Sequence, residues 1–528
     1  MSGATDYRGP AVSGTAEPAS LSHRQVLLAF SAMMLATLLA ALDQTVVATA
    51  LPQIVTDLHG FRDLSWVVSS FLVAATVTVP LYGKLSDLYG RRRMFVVSIS
   101  IFLLGSLLCG VAQSMGQLIA FRALQGVGAG GLLPLAQAAI ADLFSPRDRG
   151  RYQGYIGSMW ATAAVAGPLL GGSLTDAASW RWIFFINLPL GALALVVVLR
   201  TMRAPAEVRP HRVDWLGAAV LSVAITCLLL ACTWGGTTYP WGSAHVLGTG
   251  VVGLVLAAVF VAIERRVEEP LLPLALFRDR IFTVSTAGGF VVGAIIFAVS
   301  IYVPVFSQGV QRISATSSGV ILIPFSLGWV AAATMTGQLI SRTGRYRLFP
   351  IVGSVFILTG LVLLAFLRVG SPPIAVAAIL VVTGVGMGMT FQPYIIATQN
   401  AVEVANLGIA TATIQFFRSM GGSLAVAALG TLLSNRLATD LRDQLGAGAA
   451  RVDTDRLLGG GASVPAGLSG GVQQALADAL HTVFLAAVPL GIVALVLALA
   501  LREVPLRTWA RDSPADHAAT PASERAAA

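Results

Sequence analysis

The chain has 528 residues, 56% of them hydrophobic and 11% charged, with a mean hydropathy of +0.79. That leaves too little polar surface for a water-soluble globule. The formal net charge of +9 does not point to nucleic acid, because the basic residues cluster in short stretches between apolar runs, where they report topology.

Residues 1–24 are polar and rich in Pro, Ser and Thr, without the basic segment and short apolar core of a cleaved signal, and read as a disordered cytoplasmic tail. Runs long enough to span a bilayer follow at about 26–51, 66–85, 94–111, 118–141, 154–174 and 182–199, an N-terminal six-helix half within 25–200. Two more, at about 215–233 and 246–263, fall within 201–264. A C-terminal half within 265–502 holds runs at about 281–305, 320–340, 348–367, 374–393, 407–433 and 480–501, with a long outer loop at about 434–479. Residues 503–528 read as a second disordered cytoplasmic tail. The expectation is an all-α polytopic membrane protein with its termini on one side. That side carries 24 Lys and Arg residues against eight on the other, four of the eight in the long loop, which makes both termini cytoplasmic.

In the first run Asp43 lies roughly 12 Å inside the outer end, at about 1.5 Å of rise per residue. A carboxylate at that depth costs about 2.5–3.5 kcal/mol and requires a partner, a water-filled cavity or a proton. Gluing helices together is one reading; coupling protons to a cation is the sharper one. In the fourth run Arg122 lies at a similar depth, roughly 7.5 Å inside. A carboxylate whose charge is opposed by burial and favoured by a neighbouring guanidinium can switch its proton through small movements. A structural carbonyl-binding role for Arg122 stays open.

After the second run, Gly83, Asp87, Gly90, Arg91 and Arg92 form a loop in which Asp87 can approach a helix N-terminus or an Arg while the arginines reach acids or carbonyls, a conformational latch. The same stretch recurs 254 residues later as 337–345, with Ser341 in place of the acid, so the echoed latch is expected to be weaker. Gly167 recurs at the same offset as Gly421, and the ladder Gly126, Gly128, Gly130 has a looser echo in Gly384, Gly386, Gly388. Repeats eight helices apart imply two parallel six-helix halves with two helices inserted between them.

In the fifth run Gly167, Pro168, Gly171 and Gly172 permit close helix approach and a local bend. Met33, Met34, Gln125, Phe290, Phe297, Tyr302, Met387, Met389 and Phe391 are candidates for an adaptable substrate cavity, and each also suits ordinary packing. Arg418, a second intramembrane base with no acid partner legible in the sequence, is a further candidate for that cavity, with a structural role as the alternative. Cys109, Cys227 and Cys232 sit in apolar runs and suit packing. All six histidines lie in tails, loops or helix ends, and no nucleophile triad or acidic metal cluster appears, so neither an enzyme nor a metal site is expected.

Residues 42–52, 83–93, the set Leu118, Arg122, Gln125, Gly126 and Gly128, residues 167–172, and the run Trp180-Arg181-Trp182-Ile183-Phe184-Phe185-Ile186-Asn187-Leu188-Pro189 together resemble the major facilitator superfamily. The resemblance is to its fourteen-helix drug:proton antiporter branch, the EmrB/QacA type, and covers about 24–502. It implies the major facilitator fold, with helices 1 and 4 lining a central cavity and therefore Asp43 near Arg122. The fifth-helix signature marks exporters. The implied function is proton-driven multidrug or antibiotic efflux across the bacterial inner (plasma) membrane by alternating access, exchanging small hydrophobic, often cationic, compounds for protons. No cofactor beyond the proton gradient is implied, and the protein is expected to be a monomer among membrane lipids. A dedicated exporter of one natural product or lipid is the alternative, and a membrane-embedded enzyme a remoter one. With Asp43 the only acid well inside a predicted helix, the expected exchange is about one proton per monovalent cation, driven by the pH gradient alone.

Overall fold

The computed structural model describes residues 23–58, 64–202, 214–235, 239–267, 270–313, 320–445 and 469–506; nearly all of both expected tails lies outside them. The N-terminal half holds α1 (His23–Leu58), α2 (Leu64–Tyr89), α3 (Arg91–Gly110), α4 (Met115–Leu143) and α5 (Pro146–Ala177), then a one-turn helix, Trp182–Phe185, leading into α6 (Asn187–Thr201). Helices α7 (Trp215–Trp234) and α8 (Ala244–Glu264) follow. The C-terminal half holds α9 (Arg280–Gly309), α10 (Ile323–Thr343), α11 (Leu348–Ala365), α12 (Pro373–Ala401), α13 (Leu407–Leu445) and α14 (Ser469–Ala500).

Among the described residues, 13 spans are long and apolar enough to cross a membrane. Helix α5 has the length but a lower hydropathy, because Gly, Ser, Thr and a charged first turn dilute its apolar residues. Its two main partners are α1 in one half and α10 in the other.

The two halves repeat one packing scheme. Helix α4 lies between α2 and α3, and α12 lies between α10 and α11. A Cβ at Gly126 or Gly130 would strike the backbone of α2, and one at Gly128 that of α3. In the same way a Cβ at Gly384 or Gly388 would strike α10, and one at Gly386 would strike α11. Small residues let these backbones touch, which supplies packing that the hydrophobic effect cannot provide between helices already in lipid. Gly90 and Gly344, 254 residues apart, both have positive φ, 88° and 71°, a region costly for residues with a Cβ. Each turns the chain at the end of a matching helix.

The inserted pair packs on itself, and α7 also touches α2 and α13. Ala218, Leu221, Ile225 and Leu229 of α7 share a buried cluster with Val79 of α2 and with Ala412 and Phe416 of α13. The inserted helices therefore sit on the flank of the α2–α13 seam, covering it.

The long outer loop expected at about 434–479 is largely helix where it is described. Helix α13 continues to Leu445 and α14 begins at Ser469, with 446–468 outside the described residues. Asn435, Arg436, Asp440 and Arg442 broke the apolar run, yet Leu433, Leu437 and Leu441 recur every fourth residue and pack with Val472, Ala475 and Leu476 of α14. Asp440 and Asp478 thus stand on helices and not in a loop.

Candidate functional site

Asp43 is 1% exposed and ringed by donors. Arg122 Nη1 donates to its Oδ2 at 2.7 Å, while Gln125 Nε2 and Asn187 Nδ2 donate to its Oδ1 at 2.8 and 3.0 Å. Arg122 also donates to Gln125 Oε1 at 2.7 Å and to the Val67 carbonyl at 3.3 Å, and its guanidinium lies over the Phe71 ring, 4.1 Å from the centroid. Asn187 Nδ2 reaches Ser106 Oγ at 3.0 Å, and Ser106 donates to the Phe184 carbonyl at 2.9 Å. The cluster draws side chains from α1, α3, α4 and α6, all in one half.

Its chemistry follows from the inventory of donors. An ionised carboxylate accepts all three contacts, each stronger for its charge. A protonated carboxyl loses its charge and keeps fewer acceptor sites, so proton uptake weakens these contacts.

Asn187 carries no functional role in the sequence reading, although it lies in the Trp180–Pro189 run. The structure explains that run. Trp180 is buried and donates from Nε1 to Asp57 near the end of α1 at 2.8 Å, and Arg181 lies over the Trp180 ring, 4.3 Å from its centroid. With one end pinned, the single turn Trp182–Phe185 starts α6 at Asn187, under Asp43.

Two residues along α1, Thr45 donates to the Ala163 carbonyl of α5 at 3.0 Å. A Cβ at Gly167 would collide with Thr45, so this glycine sets the α1–α5 approach. Gly171 is buried. The close approach expected at Gly172 is absent, since a Cβ there would meet nothing within 4 Å. The Pro168 side chain lies outside the described residues.

The halves meet at the end that carries the arginine-rich loops. Asp87 accepts from the backbone N–H groups of Gly408 and Ile409, at 3.1 and 2.9 Å, at the start of α13 in the opposite half. Arg91 pairs with Asp87 at 2.5 Å and with Asp142 of α4 at 2.8 Å, and also donates to Ser86. A Cβ at Gly83 would come 2.5 Å from Ala412 Cβ, and one at Gly408 would collide with Asp87 and Arg91. Arg92 serves its own half, donating to the Leu199 carbonyl of α6 at 2.8 Å. Sequence reasoning missed Gly408; the 254-residue offset pairs it with Gly154, which likewise faces the opposite half.

Between these contacts lies a girdle of amides. Gln415 Nε2 donates to Gln137 Oε1 at 2.6 Å, Gln399 Nε2 to the Gln137 carbonyl at 3.3 Å, and Gln392 Nε2 to the Gln153 carbonyl at 3.3 Å. Arg149, expected only as topological charge, is 1% exposed and donates to the Ala141, Phe144 and Gln399 carbonyls at 2.6, 3.1 and 3.3 Å.

The candidate substrate cavity needs correction. Met33, Tyr302, Met387 and Phe391 are at most 3% exposed and belong to the packed cores of their own halves, and Phe290 packs partly buried on the same C-terminal core. Gln125 belongs to the Asp43 cluster. Their apolar character is used up by neighbours within a half, because interior and cavity-facing positions share one residue vocabulary in a membrane helix. Arg418 is half-buried with its guanidinium 5.0 Å from the Phe391 ring centroid, and it makes no ion pair among the described residues.

Arg122→Leu strands a buried carboxylate, so it should cost about 3–5 kcal/mol. Combining it with Asp43→Asn should recover part of that loss. Thermal unfolding of the purified variants checks this, and a double variant less stable than Arg122→Leu would show that the pair is not coupled.

The chain matches the family model described as Major Facilitator Superfamily over residues 33–426. It is 40% identical over 479 residues to an uncharacterized MFS-type transporter of Mycobacterium tuberculosis, covering 90% of this chain and 69% of that one. It is 36% identical over 489 residues to Multidrug resistance protein 3 of Bacillus subtilis, covering 90% and 95%. In fold it is similar to the human organic anion transporter MFSD10, with a TM-score of 0.59, 15% identity, and 88% and 99% of the two chains covered. On these grounds the chain belongs to the Major Facilitator Superfamily and is a multi-pass membrane transporter, not an enzyme.

Proposed function

We propose that the chain is a proton-driven exporter of small hydrophobic, often cationic, drugs across the bacterial inner membrane, a monomer with both termini in the cytoplasm. The observation that carries this reading is the buried Asp43 surrounded only by donors, on a helix that also touches α5. Relatives called multidrug resistance protein and multidrug transporter protein support efflux of drugs.

In this reading the arginine-rich end is cytoplasmic and the conformer is closed there. A proton arriving at Asp43 discharges it and loosens Arg122. The resulting shift of α1 passes through Thr45 and Gly167 to α5, whose opposite face forms the α5–α10 seam. Opening that seam admits substrate from the cytoplasm, and proton release restores the closed form. Asp43 and Glu264 are the two carboxylate residues below 5% exposure among the described residues. Glu264 sits at the end of α8, where it accepts from the N–H groups of Leu271 and Leu272, so Asp43 is left as the coupling site for about one proton per cation.

A second reading, a dedicated exporter of one natural product, draws on relatives described as an Acurin A biosynthesis cluster MFS-type transporter and an MFS-type efflux pump. A competition panel of unrelated compounds separates the two.

In a pump-deficient bacterial host the wild type should raise resistance to many unrelated compounds, and Asp43→Asn should abolish it at equal membrane abundance. Resistance that survives in Asp43→Asn would sink the coupling role. In proteoliposomes a pH gradient should suffice for uphill transport of a monovalent drug, whereas a potassium–valinomycin potential alone should not. Asp87→Asn removes a charge-assisted contact worth about 1.5–3 kcal/mol, so the closed-to-open ratio should drop roughly ten- to a hundredfold. Spin-label distances between the facing ends of α2 and α13 report it, while substrate affinity in detergent should stay near wild type. Affinity falling in step with transport would make the loop part of the binding site.

A further inference from the structure

Two arginines, Arg122 and Arg418, lie well inside membrane-spanning helices, and the fold treats them differently. Arg122 of α4 is met by Asp43, Gln125 and the Val67 carbonyl. Arg418 of α13 makes no hydrogen bond or ion pair among the described residues, and its Nε is buried without a partner. It lies eleven residues beyond Leu407, the first residue of α13, and so about 16 Å along the helix at roughly 1.5 Å per residue. That is near the middle of a hydrocarbon core about 30 Å thick, where a cation is kept only against a partner, water or a ligand.

The neighbouring helices fix where the side chain starts and which way it faces. A Cβ at Gly293 of α9 would collide with the Arg418 backbone, and one at Gly421, the next turn of α13, would collide with the Phe290 backbone of α9. Thr411, two turns before Arg418, touches Gln399 of α12, and Gln415, one turn before it, touches Gln137 of the opposite half. Arg418 therefore stands on the face of α13 that turns to α12 and to the space between the halves, not to lipid. Its guanidinium lies over the Phe391 ring of α12, 5.0 Å from the centroid. A ring takes up one face of a guanidinium and none of its N–H groups, so the edge that carries Nε and the terminal nitrogens stays available.

Neither of the two most buried carboxylates serves this edge. Asp43 is held by Arg122, Gln125 and Asn187, and Glu264 by the N–H groups of Leu271 and Leu272. An arginine with a structural role holds carbonyls, as Arg149 holds three, and Arg418 holds none among the described residues.

We propose that Arg418 is a substrate-binding residue that receives the carboxylate of a hydrophobic organic acid, through the parallel N–H groups of Nε and one terminal nitrogen. The inference rests on the export reading and widens its substrate class from cationic drugs to acidic compounds. A planar carboxylate matches the guanidinium fork with two charged oxygens, whereas the corresponding amide offers one neutral acceptor.

The test measures binding to the purified full chain in detergent at neutral pH, without any gradient, so that failure of proton coupling at Asp43 leaves its result unaffected. The probes are benzoate, naphthoate and anthracene carboxylate, each paired with its primary amide, and binding is read by titration calorimetry. Wild type should bind the acids at least roughly tenfold more tightly than the amides, because hydrogen bonds to charged groups outweigh neutral ones by that much. Arg418→Gln should abolish the preference and leave binding of the amides unchanged. Since Arg418 holds nothing in the fold, the same substitution should leave the unfolding temperature at or above that of wild type. No binding, equal binding of acid and amide by wild type, or a preference that survives in Arg418→Gln would overturn the proposal. A lower unfolding temperature in Arg418→Gln would also overturn it, assigning the residue to structure.

Discussion

A carboxylate kept out of water must be met by donors, and in this protein that requirement organises an entire half. Asp43 alone brings Arg122 and Gln125 of α4 and Asn187 of α6 to one point on α1. Desolvating such a pair costs several kcal/mol per ion, recovered only when geometry is good and the remaining lone pairs are filled. Both oxygens accept here, Oδ1 twice, and the guanidinium has a carbonyl and an aromatic face as further company. The arrangement is consequently sensitive: one proton changes the hydrogen-bonding sign of its centre.

Each half has its own apolar core, whereas the joint between them is built mostly from other materials. Glycine backbones in contact, an acid on a helix start and a girdle of glutamines close the arginine-rich end. Contacts of this kind are individually weak and exchange readily for water, while the cores resist deformation. Rigid halves with a polar, glycine-lined joint are suited to rocking against each other. The inserted pair reinforces one seam through the buried face of α7 and leaves the other exposed.

Much of this was legible before the structure. Depth alone singled out Asp43 and Arg122, since few reasons exist for a charge that far inside an apolar run. The chemistry expected of Asp87, a helix N-terminus and an arginine, is what it meets at Gly408, Ile409 and Arg91. The glycine repeats forecast two halves built alike. The candidate cavity was misjudged, because Met33, Tyr302, Met387 and Phe391 look the same in sequence whether they face a neighbour or a void. The two ends of the loop at 434–479 were misjudged because polar residues on one helical face broke an apolar count.

By itself the sequence determined the class, the number and order of apolar helices, and the residues whose charge or missing side chain needs an explanation; these follow from local properties, hydropathy and spacing. Tertiary structure alone decided the partners. Asn187 reaches Asp43 across 144 positions and Gln415 reaches Gln137 across 278, and neither polar amide is distinguishable in sequence from one that faces solvent. Which backbone N–H groups of the opposite half Asp87 meets also emerges only when the halves are set face to face, because complementarity is a property of two surfaces and cannot be read from either one.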